Sequence, residues 1–179
     1  MRPLRPLLLA LASLAPAAAS GAGAPATLVA CAPGYPGSTA EAQPALDALA
    51  VALTEAASWP AGSIHAEYHQ AEQAGVERLS RSDAALAMVA LPFFLKHEAA
   101  LHLEPRLLVQ SEGGSLTEAW SLVAGKGRVA SPAALQGFTV TSLAGYAPGF
   151  VRGALGAWGR IPDSAEVSFS GQVLSGLRK

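Results

Sequence analysis

Three apolar runs alternate with three segments of helical spacing between residues 27 and 101, and this alternation limits the fold more than any other feature. The apolar runs cover residues 27–32, 63–69 and 83–91, and the helical segments cover residues 40–57, 71–81 and 93–101. A helix between two strands returns the chain to the same end of a sheet, so this order predicts parallel strands. We therefore expect an α/β fold with helices on both faces of the sheet.

The third apolar run is the most continuous of the three. It extends from Ala84 to Leu91 and ends at Pro92. A short segment that is apolar on both faces is typical of a strand buried between two helical layers. The sequence therefore predicts that this run is a central parallel strand.

The order of elements changes after residue 105. Two strand-like runs, residues 106–110 and 119–124, follow each other with no helix between them. A turn segment, a strand, a glycine-rich loop and a helix are then predicted over residues 131–137, 138–142, 143–149 and 150–158. We expect a first α/β lobe over residues 25–110, crossover strands or a hinge over residues 111–127, and a partial second α/β lobe over residues 128–179.

The distribution of charge excludes one class of partner. The chain has 12 basic and 13 acidic residues and a net charge of −1, and its basic residues are scattered among acids. A protein that binds a nucleic-acid backbone needs a clustered basic face. The sequence therefore predicts no nucleic-acid partner.

The first 24 residues have the three parts of a secretory signal peptide. Arg2 and Arg5 precede an apolar run over residues 7–12, and small residues follow up to residue 24. The apolar run is shorter than the roughly 20 residues that a membrane-spanning helix needs. We therefore expect residues 1–24 to be a signal peptide and the mature protein to be periplasmic or otherwise exported.

The single cysteine leaves a second form of export open. Leu28, Val29, Ala30 and Cys31 have the residue types of a lipoprotein signal, in which Cys31 would be acylated and would anchor the protein to a membrane. Cys31 lies well beyond the apolar run, however, and acylation would start the mature chain inside the first predicted strand. A buried strand cysteine fits the pattern better.

The order of elements resembles that of type II periplasmic solute-binding proteins, in particular the phosphate and phosphonate group of ABC importers. The resemblance rests on residues 31–36 after the first strand, 87–94 at the third, 107–109 and 120–127 in the crossing pair, and 132–140, which looks like the Leu-x-Gly-x-x-Val segment of the family's second lobe. The likeness covers residues 27–177, and it lies in the order of short motifs. The family's second lobe runs on for about another hundred residues, so we expect this chain to be a fragment or to be truncated in that lobe.

The resemblance implies a function as well as a fold. In the family, two lobes close on a ligand between them, here a small anion such as phosphate or phosphonate, and an ABC transporter permease then takes it up. The resemblance implies a monomer without enzymatic activity or cofactor. Loops at strand ends would hold the anion, because helix N-termini and hydroxyl groups bind oxyanions.

The ligand-binding residues carried over from the family lie on three loops. They are Tyr35, Gly37, Ser38 and Thr39 on the first loop, Pro92 and Phe93 after the third strand, and Ser142, Gly145 and Tyr146 on the second-lobe loop. For Ser38 and Thr39, capping of the following helix explains the residue types equally well.

A strand with two histidines supports a different function. His65, Glu67 and His69 alternate with apolar residues and so share one strand face, and imidazole and carboxylate groups are zinc ligands. A small secreted metal-binding protein or metalloenzyme is therefore one alternative, although a polar strand face has the same spacing and no further ligand follows nearby. Another alternative is a sensory binding domain of the same fold without a transporter.

Overall fold

The computed structural model describes residues 25–35, 37–108, 110 and 119–171. Its first part has the predicted order of β1 (Ala26–Cys31), α1 (Thr39–Ala56), β2 (Ile64–His69), α2 (Glu72–Leu79), β3 (Ala84–Val89) and α3 (Leu91–Leu101). Strand β1 pairs in parallel with both β2 and β3, so the order across the sheet is β2-β1-β3. The predicted α/β fold with parallel strands is confirmed for these residues.

The side chains of β1 divide between two helical layers. Leu28 and Ala30 pack in the core that α1 and β2 share, whereas Cys31 on the opposite face lies against Gly75 of α2. The side chains from Thr27 to Cys31 are all buried. Helices therefore cover both faces of the sheet, as predicted.

Among the residues that the structure describes, strand β3 lies at the edge of the sheet, so the prediction that residues 83–91 form a central strand is wrong for this part of the chain. The described residues place no strand beyond β3, and Ala85, Leu86 and Ala87 are exposed. The reason is that alanine gains little free energy from burial compared with larger apolar residues. An alanine-rich strand therefore fits an edge as well as a centre, and β1 takes the central position.

The last described part of the chain forms a smaller βαβ unit. A 3₁₀ turn (Pro132–Leu135) precedes β4 (Thr139–Ser142), α4 (Pro148–Gly156) and β5 (Glu166–Phe169). Strands β4 and β5 pair in parallel, and Leu135, Ile161 and Ala165 form a separate small core. The strand and helix predicted over residues 138–142 and 150–158 are confirmed, whereas β5 is an element that the sequence did not predict.

The two runs predicted as crossover strands carry no strand in the residues that the structure describes. Residues 103–108 and 119–124 have no regular structure, and Leu107 and Leu108 are 92% and 78% exposed. An apolar run becomes a strand only where a neighbouring strand accepts and donates its backbone hydrogen bonds, and no described strand does so here. The strand prediction is therefore wrong for these residues, and residues 111–118 of the predicted hinge lie outside the described residues.

The signal peptide predicted for residues 1–24 also lies outside the described residues, as do residues 172–179. Across the described parts, no helix combines the length and the apolar character that a membrane span requires. Export therefore stays a prediction from the sequence.

Candidate functional site

Loops from both α/β units meet at the carboxyl end of the first sheet. The loop after β1, the start of α3 and the loop after β4 line a pocket of about 80 Å³. Its walls are Pro33 and Tyr35, Pro92, Trp120, and then Leu143, Ala144 and Tyr146. The structure thus brings Tyr35, Pro92 and Tyr146, three of the predicted ligand-binding residues, to one pocket.

A close backbone contact joins the two units beside this pocket. Gly34 has a φ of +84°, and a Cβ atom there would lie 2.5 Å from the carbonyl oxygen of Leu143 and 3.1 Å from the ring of Phe169. Glycine permits both this conformation and this approach. The loop after β1 therefore packs directly on the loop after β4 and on the end of β5.

A larger groove continues from the pocket between α3 and α4. Its volume is about 530 Å³, which is ordinary for a small-molecule site. It shares Pro92 with the pocket, and its other walls are Leu95 and Lys96 of α3, residues 147–150, and Gly153 and Ala154 of α4. The rings of Trp120 and Phe150 meet edge to face with centroids 5.4 Å apart, which joins a pocket wall to a groove wall. The pocket and the groove together are called the cleft below.

Lys96 is the charged side chain on the described walls of the cleft, and it connects the two units. Its Nζ donates to the carbonyl oxygen of Tyr146 at 2.6 Å and lies 2.6 Å from Oε1 of Glu72. The ammonium also lies 5.9 Å from the centroid of the Tyr146 ring, within reach of a cation–π interaction. An ammonium has three N–H donors, and the described residues supply oxygen partners for two of them.

Glu72 holds Lys96 in place from the first turn of α2. Its Oε1 also lies 2.6 Å from Nε2 of His97. Burial acts to raise the pKa of the Glu72 carboxyl, but the hydrogen bonds and charges of Lys96 and His97 together outweigh burial and lower this pKa below its ordinary value. Glu72 is therefore ionised, and it fixes the position of Lys96 at the junction of α2, α3 and the loop after β4.

Tyr146 keeps its phenolic proton. Burial is the main cause that raises the pKa of its hydroxyl, and the nearby Cys31, Glu72 and Tyr35 raise the pKa further because their charged forms are negative. Its ring meets that of Phe169 edge to face, with centroids 6.0 Å apart. Tyr146 therefore stands in the cleft as a neutral hydrogen-bond donor.

The other residues predicted on the first loop lie at the start of α1. Ser38 is the N-cap: its Oγ accepts from the backbone N–H of Glu41 at 3.3 Å, and the Glu41 carboxylate accepts from the Ser38 N–H at 2.7 Å. This capping box occupies the helix end that an oxyanion would need. Thr39 is the exposed first residue of α1, and the carbonyl of Gly37 accepts from Nε2 of Gln70 at 2.6 Å. The structure gives Ser38 the capping role, and Gly37, Ser38 and Thr39 are not among the described wall residues of the cleft.

The remaining predicted residues support the cleft without lining it. Phe93 is fully buried, with its ring centroid 4.7 Å from that of His97. Ser142 ends β4, where its Oγ accepts from the N–H of Ala144 at 3.1 Å. Gly145 lies against the backbone of β5. The structure therefore assigns Phe93 to the core, and Ser142 and Gly145 to the loop that carries Tyr146.

Cys31 is buried at the end of β1. Its Sγ donates to the carbonyl oxygen of Ala71 at 3.8 Å. Burial, and secondly the negative charge of Glu72, raise the pKa of the Cys31 thiol to about 12. The thiol is therefore neutral and covered, as the sequence predicts for a strand cysteine.

We expect Cys31 to resist alkylation in the folded protein. With a pKa of about 12, the thiol has on the order of a thousandth of the thiolate of an ordinary cysteine at mildly alkaline pH. Iodoacetamide labelling followed by mass spectrometry should modify Cys31 in urea-unfolded protein and leave it unmodified in folded protein. Equal labelling rates in the two states would contradict the buried position.

The histidines of β2 share one strand face, as predicted, but the carboxylate between them is bound to an arginine. Glu67 accepts from Nε and Nη2 of Arg78 at 2.7 and 3.1 Å, and Nε2 of His65 and of His69 lie 3.6 and 3.4 Å from its oxygens. A guanidinium this close repels a metal cation. Within the described ranges, no three His, Cys, Asp or Glu side chains are grouped so that they could hold a metal ion.

Sequence reasoning missed three residues at the cleft. Lys96 follows Pro92 by four residues, and this spacing places both on one side of α3, so a signal for Lys96 existed. Glu72 and Trp120 carry no local signal, because packing between distant segments creates their contacts with Lys96 and Phe150.

The described residues define an α/β protein with two parallel sheets and a cleft between them. Comparisons with models of protein families, with curated proteins and with solved structures found no match to this chain.

Proposed function

We propose that this protein is an exported solute-binding protein of the type II periplasmic kind, which holds a small anion such as phosphate or a phosphonate between its two α/β units. The observation that carries the proposal is the convergence of Tyr35, Pro92 and Tyr146, from three separate loops, on one pocket. Ligands of open α/β sheets bind at the carboxyl ends of the strands, which is where this pocket lies. The permease of an ABC importer would receive the anion from the protein.

The polar groups at the cleft suit an anion. Lys96 supplies an ammonium group whose charge Glu72 partly balances, and Tyr146 supplies a neutral donor. Helices α3 and α4 begin beside the cleft, and their N-cap residues, Ala90 and Ala147, make no side-chain capping hydrogen bond. Pro92 and Pro148 in the first turns have no N–H, and the N–H of Phe150 already donates to the carbonyl oxygen of Ala147. What these helix ends offer an anion is therefore mainly the positive end of the helix dipole.

The position of Cys31 bears on the form of export. Acylation at Cys31 would require removal of the residues before it, which form most of β1. Strand β1 is the central strand of the sheet and supplies much of its core. This supports a signal peptide that ends before residue 25, and hence a protein without a lipid anchor at Cys31.

Thermal unfolding with and without ligand tests the proposal. A ligand that binds only the folded state stabilises it by about 2.7 kcal/mol at one hundred times its Kd. We expect phosphate, methylphosphonate or sulfate to raise Tm by about 5 °C or more under such conditions. Lys96→Gln should remove most of this shift, whereas Lys126→Gln, at an exposed position outside the described cleft walls, should retain it.

The same screen includes zinc. A Tm that no oxyanion changes would refute the proposal. A Tm that rises with zinc alone, and that loses this rise in His65→Ala, would favour the metal-binding alternative.

A further inference from the structure

The groove between α3 and α4 is larger and more apolar than an inorganic oxyanion requires. Its volume is about 530 Å³, whereas phosphate is only a few times the size of a water molecule, which occupies about 30 Å³ in the liquid. Leu95, Pro148, Phe150 and Ala154 present hydrocarbon side chains along its walls. Phosphate oxygens need hydrogen-bond donors that such walls lack. Most of the groove therefore suits a different part of a ligand.

Among the described residues of the groove wall, Lys96 has the charged side chain. Lys96 is held there by Glu72 and the carbonyl oxygen of Tyr146, each at 2.6 Å. The described wall residues include no acidic side chain. An anionic group at Lys96 would accept a hydrogen bond from the third N–H of the lysine ammonium, and the rest of the ligand would lie along the apolar walls. Small-molecule sites usually combine a few polar groups with mostly apolar walls in this way.

We infer that the ligand is an organic anion whose phosphonate group lies at Lys96 and whose short alkyl or aromatic substituent fills the groove between α3 and α4. This inference rests on the proposed function, and it narrows the ligand from any small oxyanion to one with an apolar substituent. Trp120 and Phe150, with ring centroids 5.4 Å apart, form an aromatic corner beside that substituent.

Isothermal titration calorimetry with a graded set of probes tests the inference. The probes are phosphate, methylphosphonate, butylphosphonate and neutral 1-butanol. Each methylene that is fully buried contributes roughly a fourfold gain in affinity. We therefore expect butylphosphonate to bind at least about tenfold more tightly than methylphosphonate or phosphate, and 1-butanol to bind far more weakly than butylphosphonate.

Two glycines of α4 provide a matched pair of variants. Gly153 is a groove wall residue and Gly156 is not, and a Cβ atom at either position would have open space around it. Gly153→Leu should fill the groove and bring the Kd of butylphosphonate to about that of methylphosphonate. Gly156→Leu should leave both Kd values within about twofold of the unmodified protein.

The outcomes separate the inference from the proposed function. Phosphate or methylphosphonate that binds as tightly as butylphosphonate would overturn the inference and leave the proposed function standing. Equal affinity for 1-butanol and butylphosphonate would also overturn the inference, since the groove would then not distinguish an anionic ligand from a neutral one. Failure of all three anions to bind would overturn the proposed function, and the inference with it.

Discussion

Replacing Arg78 with alanine is expected to lower the free energy of unfolding by about 3 kcal/mol. The side chain of Arg78 is buried, and it donates to Glu67 at 2.7 Å, to Asp83 at 2.7 Å and to Thr27 at 2.8 Å. One guanidinium thus joins β1, β2 and the residue that precedes β3. Its removal would leave two carboxylates and a hydroxyl without their cationic partner. Urea unfolding followed by circular dichroism measures the change.

Arg81→Ala is the matched control for this variant. Arg81 lies three residues further along the chain and is exposed. Its replacement should change the free energy of unfolding by no more than about 0.5 kcal/mol. Equal effects of the two substitutions would show that the buried arginine is not what stabilises the sheet.

The Arg78 effect should also depend on pH. Hydrogen bonds from Arg78 are the main cause that lowers the pKa values of Glu67 and Asp83 below their ordinary values, which are about 4.3 and 3.9. A pKa that folding lowers adds stability above the ordinary value, and this stability is lost as pH falls through the folded value. The difference between the unmodified protein and Arg78→Ala should therefore shrink below about pH 4. A constant difference across that range would contradict the ion pairs.

Replacing Gly145 with alanine is expected to have an effect of similar size, about 2–3 kcal/mol. A Cβ atom at this position would lie 2.0 Å from the carbonyl oxygen of Ser168 and 2.6 Å from Cα of Phe169. Both are backbone atoms of β5, so the strand or the loop after β4 must move. Because Tyr146 follows directly on this loop, anion binding should weaken together with stability. Urea unfolding and calorimetry on the same variant measure the two effects.

Gly153→Ala serves as the control for the effect of Gly145→Ala on stability. Gly153 lies inside α4, and a Cβ atom there would meet no atom within 4 Å. Alanine is a better helix former than glycine, so the free energy of unfolding of Gly153→Ala should be unchanged or higher by up to about 1 kcal/mol. A neutral Gly145→Ala would contradict the close approach between the loop and β5.

The sequence predicts the first sheet well because its burial pattern is local. Alternating apolar runs and helical spacings over residues 27–101 correspond to β1–β3 and α1–α3 in the observed order. Nothing in the alanine-rich sequence of β3 indicates that this strand lies at an edge of the described sheet. Residues 106–108 and 119–124 are apolar runs, but no described strand pairs with them. Strand position and pairing depend on distant segments, which hydrophobic periodicity does not report.

The sequence likewise predicts some residues of the candidate site and does not predict others. Tyr35 and Pro92 follow strand ends of the first parallel sheet, and strand ends of one parallel sheet meet at one edge, so the proximity of these two residues could be predicted. Tyr146 follows β4 of the second sheet, and packing between the two units brings it to the same pocket. The contact of Trp120 with Phe150 and the contact of Glu72 with Lys96 could not be predicted, because each joins segments far apart in the chain. Ser38 illustrates a third case, in which one residue type suits both a ligand and a helix cap, and the structure shows the cap.

The shared cleft of the two units is tested most directly by fluorine NMR of protein labelled with 5-fluorotryptophan. Of the three tryptophans, Trp120 lines the pocket, whereas Trp59 and Trp158 lie outside the described cleft walls. During a titration with methylphosphonate, we expect the Trp120 resonance, assigned with Trp120→Phe, to shift until it saturates while the other two stay unchanged. A Trp120 resonance that stays fixed throughout the titration, whether or not another tryptophan resonance moves, would contradict a ligand site at this cleft.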